Sequence, residues 1–515
     1  MSSMSEIVMI NPATGEELGV KKTWSEVHIL DAYEKAREKS LVFRTTTIEQ
    51  RIEEIRKIRL YIVDHMESLV EGLSADLGKT KSEALLMEIF PVLDCIKYYE
   101  KNAPSILADE KIKTPIALMG KKSYVFYEPL GTVLIIAPWN APFTLSLIPI
   151  ISAVLAGNTV MYKPSEIATY SGMLIEKIFK ESGVEPGIVT FVYGKGSEIG
   201  DTLIEGKPDK IFFTGSTVTG KLIMEKAAKH LIPVELELGG KDPMIVFEDA
   251  YIERAVNAAV WGSLFNCGQV CVSVERIYVQ ESVYDDFVKG VVQQVKNVKQ
   301  GWDTKGEFDI GCLASDDQVK IVEDHINDAV QQGATILTGG KRKGKTLFFE
   351  PTVLVNVNHS MKIMREETFG PVISIMKFND EEEVVRLAND SHYGLNASVW
   401  TKNQEKAMRV SRAINTGGVS VNNALMVQAN FNLPYGGVKQ SGFGRYHGQC
   451  GLHTFSNIKA VIIEKGKKPK DINWYPFRTD KYQRFLTTFQ SLFSEKTTAK
   501  LKGLPSMMKL MRSKE

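Results

Sequence analysis

An α/β fold with two regions of alternating strands and helices is what this 515-residue sequence predicts, on three observations. First, the run Gly131 to Tyr162 contains no Asp, Glu, Lys or Arg, yet Pro138, Asn140, Pro142, Pro149, Gly157 and Asn158 interrupt it. The run is long enough for a membrane span, but these breaks favour a strand (Thr132 to Ala137), a turn, an apolar helix and a second strand buried in a parallel sheet. Second, strand-like Val160 to Lys163, Ile188 to Val192 and Lys210 to Phe213 alternate with helical patterns, as in a doubly wound sheet. Third, alternation resumes near Lys241, with strands at Met244 to Phe247, Arg276 to Val279 and Val372 to Met376 and a helix over Asp316 to Gln332.

Ahead of these regions lie amphipathic helices. In Ile48 to Glu71, Ile52, Ile55, Ile58 and Ile62 recur at helical spacing among charged neighbours. At the other end, Lys465 to Glu515 holds thirteen Lys or Arg against four Asp or Glu, with Tyr482, Phe485, Leu486, Phe489, Leu492 and Phe493 at helical spacing. This basic extension predicts a helix packed on the body or on a second subunit, one that touches an anionic membrane surface over 472–515, or a disordered tail.

Charge narrows the partners. Sixty-three Lys plus Arg balance 62 Asp plus Glu, leaving +1, so no overall field recommends nucleic acid. Five cysteines without CxxC spacing and eight histidines without a ligand cluster predict no metal site and a reducing compartment. The polar N-terminus lacks the pattern of a signal peptide, so the protein is expected in the cytoplasm, with its tail able to reach the inner face of a membrane.

Four segments could carry chemistry. In Phe265 to Cys271, a cysteine follows a Gly-Gln turn; Cys271 is either a nucleophile or a small buried hydrophobe, and Cys267 has less claim. Glu237 stands in an apolar stretch ending at Gly239-Gly240, where burial would raise its pKa towards that of a general base; a solvated strand-edge glutamate is the alternative, and Glu235 reads as one. Asn140, at a strand end, is either an oxyanion donor or a turn former. Phe212 to Gly220 runs from strand through Gly-Ser into a helix suited to a pyrophosphate, whereas Gly194 to Gly200 has its third glycine one place late for a dinucleotide fingerprint and reads as a loop.

The segments PWN, YKPSE, FTGS, LELGGKDP, NCGQVC, EETFGPV and PYGGVKQSGFGR stand in the order found in the aldehyde dehydrogenase superfamily, and the resemblance spans Asn11 to Glu464. It implies NAD(P)-dependent oxidation of an aldehyde to a carboxylic acid. Cys271 would form a thiohemiacetal and then a thioester, Asn140 and the Cys271 N–H would hold the oxyanion, and Glu237 would activate the deacylating water. Because CoA-acylating relatives typically lack this glutamate, a free acid is the expected product.

The resemblance also assigns Lys163 and Glu166 to the adenosine ribose, Ser216 to the pyrophosphate, and Glu367 and Phe369 to the nicotinamide ribose and ring, with Trp139 beside them. The cofactor is NAD or NADP, weakly favouring NAD because Glu166 would repel a 2′-phosphate. Gly239, Gly240, Gly268 and Gly436-Gly437 would allow close backbone approach, and Lys241 would be structural.

By the same resemblance, 1–111 with 129–240 form a Rossmann-like cofactor domain and 241–438 the α/β catalytic domain. Residues 112–128 with 454–464 form a small bridging sheet, 465–515 is the extension, and the assembly is a homodimer or homotetramer. The extension is somewhat like that of class 3 and fatty aldehyde dehydrogenases, which leaves the subfamily open, since Asn11 to Glu16 belongs to a longer N-terminal form absent from those enzymes. The extension predicts a hydrophobic aldehyde, with a substrate tunnel near Phe143, Ser146, Leu147 and Phe265.

Overall fold

The computed structural model describes residues 5–115, 118, 120–467 and 469–495. The chain divides into two compact units, residues 1–108 with 126–459 and residues 109–125 with 460–515. The larger unit contains two open sheets. In the first, five strands run parallel in the spatial order Val234–Glu237, Lys210–Thr214, Thr132–Ile136, Thr159–Lys163, Val189–Phe191, and Gly442–Phe443 adds antiparallel to Val234–Glu237. The chain order reverses between Thr132–Ile136 and Lys210–Thr214, so a crevice opens at their carboxyl ends, where open α/β sheets bind ligands.

The second sheet has the order Thr335–Thr338, Thr352–Val355, Val372–Phe378, Val274–Gln280, Asp242–Val246, Asn396–Trp400, Gly418–Val421, and only its first pair is antiparallel. The uncharged run folds as expected. Thr132–Ile136 and Thr159–Lys163 are neighbouring parallel strands joined through the buried helix Thr144–Leu155. With both faces covered, every residue of Thr159–Lys163 and Lys210–Thr214 is buried, which explains their continuous rather than alternating apolar pattern.

Two expectations change. The Ile48 to Glu71 run is two helices, Ile48–Asp64 and Met66–Leu77, because His65 leaves helical geometry at φ −116° and ψ 18°. The segment Gly194 to Gly200 is not a loop: helix Gly196–Glu205 starts inside it, since burial of Ile199, Leu203 and Ile204 on one face outweighs the poor helix propensity of its glycines.

The smaller unit contains Glu110–Ile112 and the adjoining parts of Lys122–Pro129 and Ser456–Ile463, which together form a three-stranded sheet. It also contains helix Thr479–Phe493, which leaves Tyr482, Phe489 and Phe493 exposed. Residues 468 and 496–515 of the extension, and 116, 117 and 119 of the expected bridging element, lie outside the described residues. Among the described residues no helix is long and apolar enough to cross a membrane.

Candidate active site

At the carboxyl ends of the first sheet a cavity of about 250 Å³ brings together Trp139, Asn140, Ser216, Glu237, Cys271, Glu367 and Phe369. Lys163 and Glu166 follow at the end of the neighbouring strand, outside this cavity.

Cys271 is delivered by an unusual turn. Asn266 (φ 54°), Cys267 (φ 56°) and Gly268 (φ 75°) are all left-handed, and the third position demands glycine, since a Cβ there would lie 2.0 Å from the Gly370 carbonyl oxygen. Asn266 and Gln269 cross-brace the turn: each side-chain amide donates to the other's backbone carbonyl, at 3.1 and 3.0 Å. Burial pushes the Cys271 thiol up to about 12; the Tyr435 hydroxyl, 3.7 Å from Sγ, opposes the shift, while Glu367, Asp242 and Glu237 add to it. At rest Cys271 is therefore a thiol, which would have to lose its proton to act as a nucleophile. Cys267 is wholly buried and its thiol is held well above its ordinary value.

Glu237 ends its strand 3% exposed, and neither carboxylate oxygen has a hydrogen-bond partner. Burial first, and then the charge of Glu235, hold it well above the usual carboxylate range; Arg445 works in the opposite direction. Glu235 is not a solvated edge residue. Its strand is covered on one side by Gly442–Phe443, and its carboxylate pairs with Lys210 at 2.8 Å.

Asn140 stands in the turn beyond Thr132–Ile136. Its Nδ2 donates to Gln269 O at 3.1 Å, and its backbone carbonyl accepts from Lys79 Nζ at 3.0 Å and Asn266 Nδ2 at 3.1 Å. One amide hydrogen is thus committed and the second remains for a ligand. Lys79 pairs with Glu88, both fully buried, and Glu88 accepts from the Phe143 and Thr144 amides at the start of the following helix. This Lys79–Glu88 support was not singled out in the sequence. The only trace is a charged residue within the apolar stretch Leu85 to Leu93.

On the nucleotide side, Ser216 caps helix Thr217–Ala228 by accepting from Thr219 N. Lys163 Nζ binds Glu166 Oε2 at 3.1 Å, and Glu166 Oε1 accepts from Gly196 N at 3.4 Å. Burial alone would raise Glu166, but the Lys163 charge and these hydrogen bonds bring it below the ordinary value. Glu367 accepts from Gly240 N at 3.0 Å, and burial, reinforced by Glu275, raises it to about 8. Phe369 (φ 53°) meets Trp139 edge to face at 5.5 Å. Its loop is clamped by Glu275, which accepts from the Thr368 and Phe369 amides, and by Gln318, which donates to their carbonyls. Lys241 pairs with Glu275 and hydrogen-bonds Thr368. Neither Glu275 nor Gln318 was anticipated, because their partners are distant in sequence.

A second cavity, about 370 Å³, shares Asn140, Leu145 and Cys271 with the first and is otherwise walled mainly by apolar groups such as Met87, Phe90, Ile148, Phe265 and Phe431. Phe265 was expected there. Phe143, Ser146 and Leu147 are absent: Phe143 and Leu147 belong to the core, and Ser146 hydrogen-bonds Tyr162. The face of helix Thr144–Leu155 that lines the cavity is that of Thr144, Leu145 and Ile148.

A doubly wound sheet whose crevice opens on a half-buried cysteine fits an oxidoreductase that oxidises aldehydes with a nicotinamide cofactor. The chain belongs to the aldehyde dehydrogenase family, whose sequence model matches residues 1–461. It is 40% identical over 493 residues to a 4,4'-diapolycopene aldehyde oxidase of Methylomonas sp, spanning 96% of this chain and 92% of that protein. It is 35% identical over 485 residues to the chloroplastic betaine aldehyde dehydrogenase of Beta vulgaris, spanning 92% and 95%. A betaine aldehyde dehydrogenase point mutant of Staphylococcus aureus, solved in complex with NAD+, superposes with a TM-score of 0.86 at 34% identity over 92% of this chain and 96% of that one. The NAD+ complex of a Bacillus cereus aldehyde dehydrogenase gives 0.85 at 35% identity over 90% and 94%.

Proposed function

We propose that this enzyme oxidises a hydrophobic, uncharged aldehyde to its carboxylic acid with NAD in preference to NADP. The observation that carries the reading is the meeting of two cavities, one mainly apolar and one at the nucleotide crevice, on the same pair, Cys271 and Asn140. Cys271 Sγ attacks the carbonyl carbon as the thiol proton passes to solvent water, and the free hydrogen of the Asn140 amide together with the Cys271 N–H holds the oxygen. Loss of hydride, for which a nicotinamide cofactor held in the crevice would supply the acceptor, turns the thiohemiacetal into a thioester. Glu237, once ionised, takes a proton from water, whose oxygen displaces Cys271 and releases the acid.

The residues present suit such a cofactor. Helix Thr217–Ala228 points its amide end, capped by Ser216, at the crevice, and Lys163 and Glu166 stand ready for ribose hydroxyls. At Gly239 a Cβ would meet Glu367 Oε2 at 2.2 Å, so the glycine leaves room for Glu367, which with Phe369 and Trp139 would hold a nicotinamide riboside. An anionic Glu166 supports NAD, since a 2′-phosphate would meet its charge.

The apolar lining, whose one carboxylate is the exposed Asp94, supports a hydrophobic aldehyde over a quaternary ammonium one. The relative named for a diapolycopene aldehyde agrees with it. The exposed aromatics of Thr479–Phe493 and the basic composition of 465–515 support contact with an anionic membrane surface. A panel of long-chain, aromatic and betaine aldehydes, assayed for NAD and NADP reduction, tests the reading. Long apolar aldehydes are expected to give the highest kcat/KM, and betaine aldehyde as the best substrate would reject it.

A further inference from the structure

The second cavity contains polar groups that the reaction does not use. His447 is 2% exposed, and neither ring nitrogen has a hydrogen-bond partner. Its ring packs between Phe431 (centroids 4.5 Å), Tyr446 (4.4 Å) and Tyr435 (5.3 Å) and lines the cavity that holds Cys271. Gln428, which lines the same cavity, has a buried Oε1 that is also unpartnered.

Packing alone does not account for a histidine here. A phenylalanine would make the same ring contacts without burying a donor and an acceptor unsatisfied. The backbone is strained here as well: His447 has φ 70° and ψ 159°, a conformation that only glycine adopts cheaply, yet the position carries a side chain. Burial lowers the imidazole to about 3, so it is neutral at physiological pH and offers one N–H donor and one nitrogen acceptor.

We infer that His447 and Gln428 form a subsite for a hydroxyl group carried on the hydrocarbon chain of the substrate, so that the preferred aldehyde is a hydroxylated hydrophobic one. This rests on the reading of the 370 Å³ cavity as the aldehyde site. The hydroxyl oxygen accepts from the His447 N–H and donates to Gln428 Oε1, or, in the other ring tautomer, donates to the unprotonated His447 nitrogen. A plain alkyl chain leaves these groups unpaired, and a site built to hydrogen-bond a hydroxyl discriminates strongly against the analogue that lacks it.

The test compares decanal with hydroxydecanals whose hydroxyl is moved along the chain, measuring kcat/KM with saturating NAD for the full-length enzyme and for His447→Phe. The wild type is expected to favour at least one hydroxydecanal over decanal by about tenfold or more. In His447→Phe that ratio should fall to within about twofold of unity, with His447→Gln restoring part of it. A wild-type ratio near unity at every position would mean that ordered water alone occupies the subsite and would overturn the inference, even if His447→Phe failed to fold. An unchanged preference in folded His447→Phe would overturn it as well. If neither aldehyde is oxidised while betaine aldehyde is, the hydrophobic-substrate reading falls first and takes this inference with it.

Discussion

Replacing Glu237 by Gln separates the two halves of the reaction. The variant keeps the shape and burial of the side chain, whose two oxygens have no partner, and removes the only role proposed for it, as base for the deacylating water. Acylation at Cys271 should survive while steady-state turnover falls by roughly 10²- to 10⁴-fold, the usual worth of a positioned base. Rapid mixing with aldehyde and NAD should give a burst of about one reduced cofactor per active site, followed by a slow phase.

The pH dependence follows from burial. Glu237 holds its proton well above the ordinary carboxylate value, so wild-type kcat should climb with pH as the base ionises, and the residual rate of the variant should not. Stability moves in the opposite sense. Above the ordinary carboxylate pKa the unfolded chain has released this proton while the folded protein retains it. The glutamate therefore costs stability as pH rises, by up to about 1.4 kcal/mol per unit until the buried group ionises. The Gln variant should match the wild type in melting temperature near pH 4 and exceed it near pH 8. A variant that turns over at the wild-type rate, or that loses burst and steady state together, would refute the division of labour.

Three further outcomes are expected. Asn140→Ala should lower kcat/KM by about 10²- to 10³-fold through loss of one oxyanion donor, and single-turnover kinetics should place the loss in acylation. Glu166→Gln should raise the use of NADP relative to NAD by on the order of tenfold, about 1.4 kcal/mol, measured as a ratio of kcat/KM values. Lys79→Met strands Glu88 as an unpaired buried charge and should cost about 3–5 kcal/mol in denaturant unfolding, with activity falling as Asn140 loses its support.

Much of the fold was legible because the first sheet is buried on both faces, which writes itself into the chain as the uncharged run Gly131 to Tyr162 cut by prolines and glycines. Cys271, Glu237 and Asn140 were legible through ordered motifs, and the structure gathers them at one cavity. Less legible was whatever depends on the exact phase of a helix. Expecting Phe143, Ser146 and Leu147 at the tunnel instead of Thr144, Leu145 and Ile148 is an error of one position on a helix buried all round, where no polar face reports orientation. Helix Gly196–Glu205 was hidden by its glycines, and the break at His65 by uninterrupted amphipathic spacing on both sides of it. The supporting pairs Lys79–Asn140 and Glu275–Thr368 join residues far apart in the chain, and no local pattern announces them.

The central claim is covalent capture at Cys271. Quenching Glu237→Gln with acid during the burst and mapping its peptides by mass spectrometry tests it directly. About one acyl group per site is expected, carried on the peptide that contains Cys271 and released by hydroxylamine, with none in Cys271→Ala. An acyl group on Cys267, or a full burst with no acylated cysteine, would contradict it.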